Sequence, residues 1–334
     1  FSHRPRTSVQ YGLAITNFDN PEQWRRFRWG FIGSSDNHRA RAGAGYKPVD
    51  RLRTTEAAGV ESAQWRARIL GPAVPRNDTP NDITRDDLLQ RAGFQLTEAE
   101  RQASFFTTGA LAAVHAEGRT REQIYAALQR REVYATSGPR ILLWFDLLNG
   151  PEGVAPMGAE VSMAQAPRFR VRAAGEVRQA PGCPDFTAQG MSASRLQNLC
   201  GGECYNPTGE RLRITRIEVV RIRPQITPGE DVATLIEDVW RTLPCEDRGQ
   251  GCVVEFSDPE CARGRRDAVY YGRAIQEPTA RINGDNLRPA RDAEGRTTAV
   301  DPCWGDYRTP RDDNCLADIE ERAWASPIYV NARR

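Results

Sequence analysis

Histidine is scarce in this chain, at three of 334 residues, His3, His38 and His115, and lysine scarcer still: Lys47 is the single lysine among 46 basic residues. The arginine excess reads as GC-rich coding rather than selection for a ligand. Long apolar runs are missing. The longest candidate, Ile141 to Leu148, is strand-length and carries Asp146, far short of the roughly 20 apolar residues a membrane helix needs. Charge of one sign is missing too. The formal net charge is +2 with 44 acidic residues interspersed, so no basic stripe can track a phosphate backbone, which argues against nucleic acid as a partner. There is no charged start, apolar h-region or small-residue cleavage site behind Phe1, so the numbered chain reads as a fragment or a processed product. Internal repeats and low-complexity tracts are absent. Gly43-Ala-Gly45 lacks the strand-turn-helix setting of a dinucleotide site.

What is present suits a globular, soluble chain of one large or two ordinary domains, 39% hydrophobic and 27% charged. The first 182 residues hold no cysteine, whereas eight follow at 183, 200, 204, 245, 252, 261, 303 and 315. An even number crowded into a loop-rich half predicts disulfides and an oxidising compartment, periplasmic or extracellular, with Cys303 and Cys315 closing a local loop. The rival is zinc, for which Cys200-x-x-x-Cys204 and Cys245 with Cys252 are ligand pairs. Disulfides are favoured because Cys-x-x-Cys pairs are absent and no histidine lies beyond 115.

Along the chain, the apolar run 29 to 34 predicts a buried strand after an opening segment that ends in the basic-aromatic stretch Trp24 to Arg28. Residues 39 to 108 are polar, with short helices predicted at Asp86 to Ala92 and Thr97 to Ala103. Ala110 to His115 reads as a strand, Thr120 to Arg131 as an amphipathic helix capped by Thr120, and Val133 to Thr136 as a strand, together a βαβ unit of a parallel sheet or barrel. After Ser137-Gly138-Pro139 the pattern is all-β, with strands at 141–147, 168–174, 214–222, 253–256, 268–275 and 326–330 and long irregular connections at 176–211 and 278–322. The domain boundary is placed at Gly138, giving 1–138 and a cysteine-stapled β-sandwich over 139–334.

The run 30–38 ends in Ser-Ser-Asp-Asn-His, which delivers Asp36 and His38 to the C-terminal mouth of the predicted strand. One residue apart in an extended chain, they lie on the same side, where a carboxylate oxygen and an imidazole nitrogen reach one divalent cation or two adjacent ones. Alone, the tripeptide reads as an Asp capping the next element beside an exposed His, since Asp and Asn favour turns.

Three ordered segments supply context: Gly-Phe-Ile-Gly-Ser-Ser-Asp-Asn-His (30–38), Gly-Ala-Leu-Ala-Ala-Val-His-Ala-Glu-Gly-Arg-Thr-Arg-Glu (109–122) and Arg-Arg-Glu-Val-Tyr-Ala-Thr-Ser-Gly-Pro-Arg-Ile (130–141). Pro156-Met-Gly158, Ala166 to Phe169, Ile214 to Val220, Ala268 to Tyr271, Gln276-Glu-Pro-Thr279 and the ending Glu321 to Tyr329 agree. With these the chain resembles the secreted bacterial branch of the PHP (polymerase and histidinol phosphatase) metallohydrolase superfamily, catalogued as domain of unknown function 3604, over almost its whole length. The resemblance implies an α/β plus all-β chain: the C-terminal part of a distorted PHP-type (β/α) barrel with a metal cluster at its rim, then an immunoglobulin-like β-sandwich. It implies Asp36 and His38 as metal ligands. The family's first Asp-Leu-His-x-His-type motif and its middle histidine motifs have no counterpart here, so the chain corresponds to a C-terminal half whose partner is the missing N-terminal barrel half.

On that reading the parent is a secreted metal-dependent hydrolase. Divalent zinc, manganese or iron acidifies a water and polarises a phosphoryl, sulfuryl or carbonyl oxygen of a small anionic or ester substrate. Arg140 is a candidate bidentate clamp for an anion, and Glu117 and Arg121 lie near the rim in sequence; each reads alternatively as a structural ion pair. His115 reads as a satisfied rim histidine rather than a ligand. Ser35 and Asn37 are placed to support the ligands by hydrogen bonds. The alternative is a non-catalytic secreted β-domain that binds carbohydrate or protein through aromatics such as Trp240, Trp304 and Trp324, although aromatics at strand spacing are normally core.

Overall fold

The structure, a computed structural model, describes residues 8–34, 47, 62–70, 84–90, 110–246, 249–264, 266–282, 284–285, 288–301, 310 and 312–332. Asp36, His38, Ser35, Asn37, Cys303, Trp304 and the helix expected at 97–103 lie outside these residues.

In chain order the strands are β1 (Leu111–Val114), β2 (Val133–Thr136), β3 (Leu142–Gly150), β4 (Gly153–Pro156), β5 (Glu160–Met163), β6 (Arg168–Ala174), β7 (Val177–Gln179), β8 (Pro207–Arg211) and β9 (Ile214–Ile222). They continue as β10 (Ile236–Pro244), β11 (Cys252–Ser257), β12 (Ala268–Gln276), β13 (Thr279–Ile282), β14 (Pro289–Arg291), β15 (Thr297–Val300), β16 (Leu316–Ile319), β17 (Arg322–Ala325) and β18 (Ile328–Ala332). Short helices occupy Val9–Ala14, Ala63–Leu70, Arg85–Gln90, Arg121–Gln129, Asp185–Gly190, Ala193–Cys200 and Pro259–Gly264.

An eight-stranded sheet and a four-stranded sheet, β11-β6-β3-β4, dominate. In the larger one β12 is the central strand. It pairs β9 along one edge, while along the other it pairs β17 near its C-terminus and β18 near its N-terminus. β10 extends the sheet beyond β9, β2 and β1 extend it beyond β17, and β5 pairs β18. All of these pairings are antiparallel except β5 with β18. The large sheet therefore runs across Gly138, taking β1 and β2 from before it.

The expectation of a PHP-type (β/α) barrel followed by an immunoglobulin-like sandwich is corrected by this topology: the described residues form antiparallel sheets and no (β/α) barrel. The predicted βαβ unit shows why. Its three elements form where expected, but β1 and β2 pair antiparallel, Leu111 opposite Thr136 and Val114 opposite Val133. A parallel crossover needs the helix to carry the chain back along the strand. Here the helix Arg121–Gln129, about 13 Å long at 1.5 Å per residue, leads the chain back to the end of β1 that it left instead. Arg131, at φ 62°, then turns the chain, so that His115 N–H donates to Glu132 O and the chain re-enters the sheet at the end it left. The helix itself is set locally: Thr120 and Gln123 form a capping box, and only Ala127 is fully buried.

The main core lies between the two large sheets. Phe145, Phe169 and Phe256 stack from the smaller sheet, meeting Tyr270 and the half-buried Trp240 from the larger. The opposite face of the larger sheet is covered as well: Val269, Tyr271, Val220, Ile222 and Tyr329 pack against Leu13, Ala14 and Val232. β12 is buried on both faces, which accounts for its nearly unbroken apolar sequence. Trp240 and the half-buried Trp324 are packing residues, as strand spacing suggests.

Disulfides form in the cysteine-bearing half, as expected. Cys183–Cys204 and Cys245–Cys252 are disulfides, and Cys315 is disulfide-bonded, while Cys200 and Cys261 are free. Cys303, the partner expected for Cys315, lies outside the described residues. No described helix is long and apolar enough to cross a membrane.

Candidate functional site

Polar residues at the ends of several strands converge beside the Thr136-Ser137-Gly138 turn. Ser137 follows β2, Gln276 ends β12, Glu321 precedes β17, Glu176 precedes β7, and Thr279 and Arg281 lie on β13. The Ser137 hydroxyl donates to Glu321 Oε2 and accepts from Arg322 N–H at 2.8 Å. Arg281 donates through Nη2 to Glu176 Oε2 at 2.7 Å, and its Nε lies 3.0 Å from Glu321 Oε1. One guanidinium thus bridges two carboxylates, both about 5% exposed. Gln276 Oε1 accepts from Glu176 N–H at 2.8 Å.

This network is not saturated. Glu176 Oε1, Gln276 Nε2 and Thr279 Oγ1 are buried without a hydrogen-bond partner, and Arg281 Nε–H is not aimed at the carboxylate beside it. Buried polar groups are normally satisfied, so unpaired donors and acceptors gathered in one cluster set it apart from an ordinary set of strand ends. Burial, reinforced by the neighbouring Glu176 carboxylate, pushes the Glu321 carboxyl above the usual glutamate range despite Ser137 and Arg281. The arrangement holds a proton on Glu321 more readily than an exposed glutamate would, and carries a surplus negative charge when both carboxylates ionise.

The segment leading to Asp36 arrives at the same end of the sheet. Residues 29–34 do not form the predicted strand; they lie outside every sheet, held by Phe31 N–H donating to Ser326 Oγ at 2.8 Å and Tyr329 OH donating to Trp29 O at 2.7 Å. Their glycines permit close approach. A Cβ on Gly30 would meet Val133 and Ser326, and one on Gly33 would come within 2.7 Å of Ala110 Cβ and 3.3 Å of both Ala135 Cβ and Leu111 O. From Gly30 to Gly33 the chain therefore advances along β2 toward the Leu111/Thr136 end. The run was apolar enough to read as a strand, but its contacts are flat packing over alanines and two bonds to side chains, without a ladder.

The other predicted site residues are dispersed. Glu117 and Arg121 are exposed at the opposite, Val114/Val133 end of the hairpin, Arg121 with its guanidinium 3.5 Å from Glu122. Arg140 is half-buried with its guanidinium 4.6 Å from the Tyr205 ring centre. His115 Nε2 lies 2.8 Å from Leu143 O, its ring between Tyr134 and Trp144, so it is engaged in packing. The residues that sequence reading missed, Glu176, Gln276, Thr279, Arg281 and Glu321, are far apart in the chain. Their signal was a polar residue at each strand end, which is also what turns look like.

A second buried cluster lies between the sheets. Arg221 donates to Asp258 at 2.8 Å and to Glu237, stacks 4.4 Å from the Trp240 ring centre, and shares Asp258 with the Tyr270 hydroxyl at 2.7 Å. Burial works against the Asp258 charge, yet the bonds from Tyr270 and Arg221 prevail and hold its carboxyl below the usual range. Arg221, on β9, and Asp258, just after β11, are both buried and join the two sheets, while Glu260 adds an ion pair to Arg221 at 2.9 Å from the exposed side. Among the described residues, the single group of His, Cys, Asp or Glu close enough to share a metal ion is Cys183, Cys200 and Cys204, two of which are bonded to each other.

Comparison with known proteins gives one match: residues 5–181, more than half of the chain, fit the profile of a family described as protein of unknown function (DUF3604). No curated protein and no solved structure matches.

Proposed function

The chain belongs to the DUF3604 family, and from that premise we propose that it is part of a secreted metal-dependent hydrolase acting on a phosphoester, sulfate ester or related anionic ester. The observation that carries the reading is convergence: the chain entering Ser35-Asp36-Asn37-His38 leaves the described residues at Ser34, advancing toward the end of β2 where Ser137 donates to Glu321, which pairs with Arg281 and through it with Glu176.

An aspartate and a histidine form the right oxygen and nitrogen donor set for zinc, manganese or iron, but a pair is fewer than the three protein ligands of a catalytic zinc. His115 is engaged with Leu143 O. In this proposal the remaining ligands come from outside the chain, in keeping with the likeness of the Ser-Asp-x-His segment to the PHP metallohydrolases. When bound, the cation supplies an acidified water and a Lewis acid for the ester oxygen. The chain's own residues do the rest. Ser137 and Glu321 hold the rim turn in place, the buried carboxylates favour a cation near them, and Arg140, two residues beyond the turn and stacked on Tyr205, is the candidate clamp for an anionic group. The disulfides support an oxidising location, periplasmic or extracellular.

The test is equilibrium dialysis of the chain against Zn²⁺, Mn²⁺ and Fe²⁺ under non-reducing conditions, for wild type, Asp36→Ala and His38→Ala, with hydrolysis of p-nitrophenyl phosphate and p-nitrophenyl sulfate followed in parallel. Weak metal uptake that both substitutions abolish is the expected result. Uptake identical in all three proteins, or ester turnover indifferent to Asp36→Ala, would overturn the proposal.

A further inference from the structure

The loop between β7 and β8 gathers three sulfurs, Cys183, Cys200 and Cys204, within 4.8 Å of one another. Cys183 and Cys204 are bonded, and the free Cys200 Sγ lies 3.7 Å from Cys204 Sγ. We propose that this loop is a thiol–disulfide exchange centre in which the bridge moves between Cys183–Cys204 and Cys200–Cys204.

Local structure brings the thiol to the bridge. The helix Ala193–Cys200 is opened by Ser192, whose hydroxyl accepts from Arg195 N–H, and is anchored by the buried Leu196. It ends at Cys200, where Gly201 and Gly202, at φ 68° and 80°, reverse the chain and return Cys204 to the helix end. The 3.7 Å separation is close to the roughly 3 to 3.5 Å of a near-attack arrangement, and because Cys200 Sγ also lies within 4.8 Å of Cys183 Sγ, the thiol must swing round Cys204 Sγ, away from Cys183, to attack in line.

The step is balanced within the loop. Cys200 loses its proton to solvent and its sulfur attacks Cys204 Sγ; the new S–S bond forms as the Cys183–Cys204 bond breaks, and Cys183 leaves as a thiolate that takes up a proton. One thiol and one disulfide stand on each side, so no oxidant or reductant is consumed. Both resting thiols have an acceptor at hand. Cys200 Sγ donates to Leu196 O at 3.3 Å, and Gly202 O stands 3.3 Å from Cys183 Sγ, ready to accept once that sulfur carries a proton.

Nor does the loop depend on one bridge to stay closed. Lys47 donates to Gly182 O at 2.7 Å and to Glu203 Oε2 at 2.6 Å, Gly182 N–H donates to the same carboxylate at 2.9 Å, and Cys204 N–H donates to Gly182 O at 3.3 Å. Residues 182 and 203 remain joined whichever cysteine holds Cys204. All three cysteines are partly exposed, within reach of reagents.

Trypsin separates the two isomers. It cuts after Arg178, Arg195 and Arg211, so the Cys183–Cys204 bridge links peptide 179–195 to peptide 196–211, whereas the Cys200–Cys204 bridge lies inside 196–211 and leaves Cys183 free. The chain is held at pH 8 without reductant, its free thiols are blocked with N-ethylmaleimide, and the digest is mapped unreduced. Both species are expected, with Cys183 and Cys200 each fractionally blocked, and Cys200→Ser should leave only the linked pair with Cys183 unblocked. In Cys183→Ser, Cys200 and Cys204 should bridge under mild oxidation. A linked pair alone in the wild type, or persistent blocking of Cys183 in Cys200→Ser, would overturn the proposal.

Discussion

The Ser137 hydroxyl donates to the Glu321 carboxylate across 184 residues of sequence. Ser137 has one hydroxyl proton, and Glu321 takes it; the same oxygen accepts from Arg322 N–H, and Ser137 N–H donates to Arg322 O at 2.9 Å. The turn after β2 is thereby fastened to the start of β17 by side chain and backbone together.

Ser137→Ala should destabilise the chain by about 1 to 3 kcal/mol, because Glu321 would remain buried after losing a donor. Urea unfolding at pH 7 reads this as a lower midpoint with an unchanged slope. A midpoint equal to that of the wild type would mean that the contact contributes nothing.

The pH dependence at Glu321 has a definite sign. Its folded pKa is raised by burial above the ordinary value, so its stabilising contribution is fully present below the unfolded pKa and is lost as pH rises through the folded one. The unfolding free energy of Glu321→Gln minus that of the wild type should therefore increase from about pH 4 to pH 8. A difference that is flat or decreasing would contradict this. Asp258 acts in the opposite direction, its depressed pKa giving stability that is lost as pH falls.

Replacing Asp258 by alanine should cost about 3 kcal/mol, since it removes a partner from the buried Arg221 and the acceptor of the Tyr270 hydroxyl. Thermal unfolding of Asp258→Ala beside Arg221→Met checks it. Arg221→Met should be the costlier of the two, because it leaves the buried Asp258 without its cation whereas Asp258→Ala leaves Arg221 paired with Glu237 and Glu260, and the reverse order would show that the Tyr270–Asp258 bond matters more than the charge on Arg221.

The Cys245–Cys252 bridge closes a short loop between β10 and β11, in different sheets, and loop-closure entropy gives it about 2.5 kcal/mol. The double variant Cys245→Ala/Cys252→Ala should unfold at correspondingly lower urea, and reducing agent should then lower its stability by less than it lowers that of the wild type. An equal effect of reductant on both would place the stabilising bridge elsewhere.

Much was legible from sequence because it is decided locally. Alternation marked β6 to the residue, the β-branched run at 214–222 marked β9, the Thr120 cap marked the helix at Arg121–Gln129, and the crowding of cysteines marked a disulfide-bearing half. Strand direction was not legible. β1 and β2 have the same residues whether paired parallel or antiparallel, and the choice rests on where a nine-residue helix and the turn at Arg131 return the chain. The Trp29-Gly-Phe-Ile-Gly33 run shows the same limit, for its apolar pattern cannot say whether its backbone finds a ladder or the alanine-lined surface of β1 and β2. The polar cluster of Ser137, Glu176, Gln276, Arg281 and Glu321 shows it most clearly. Each is an ordinary strand-end residue in sequence, and only antiparallel pairing of strands that far apart brings two carboxylates to one guanidinium and shields them from water.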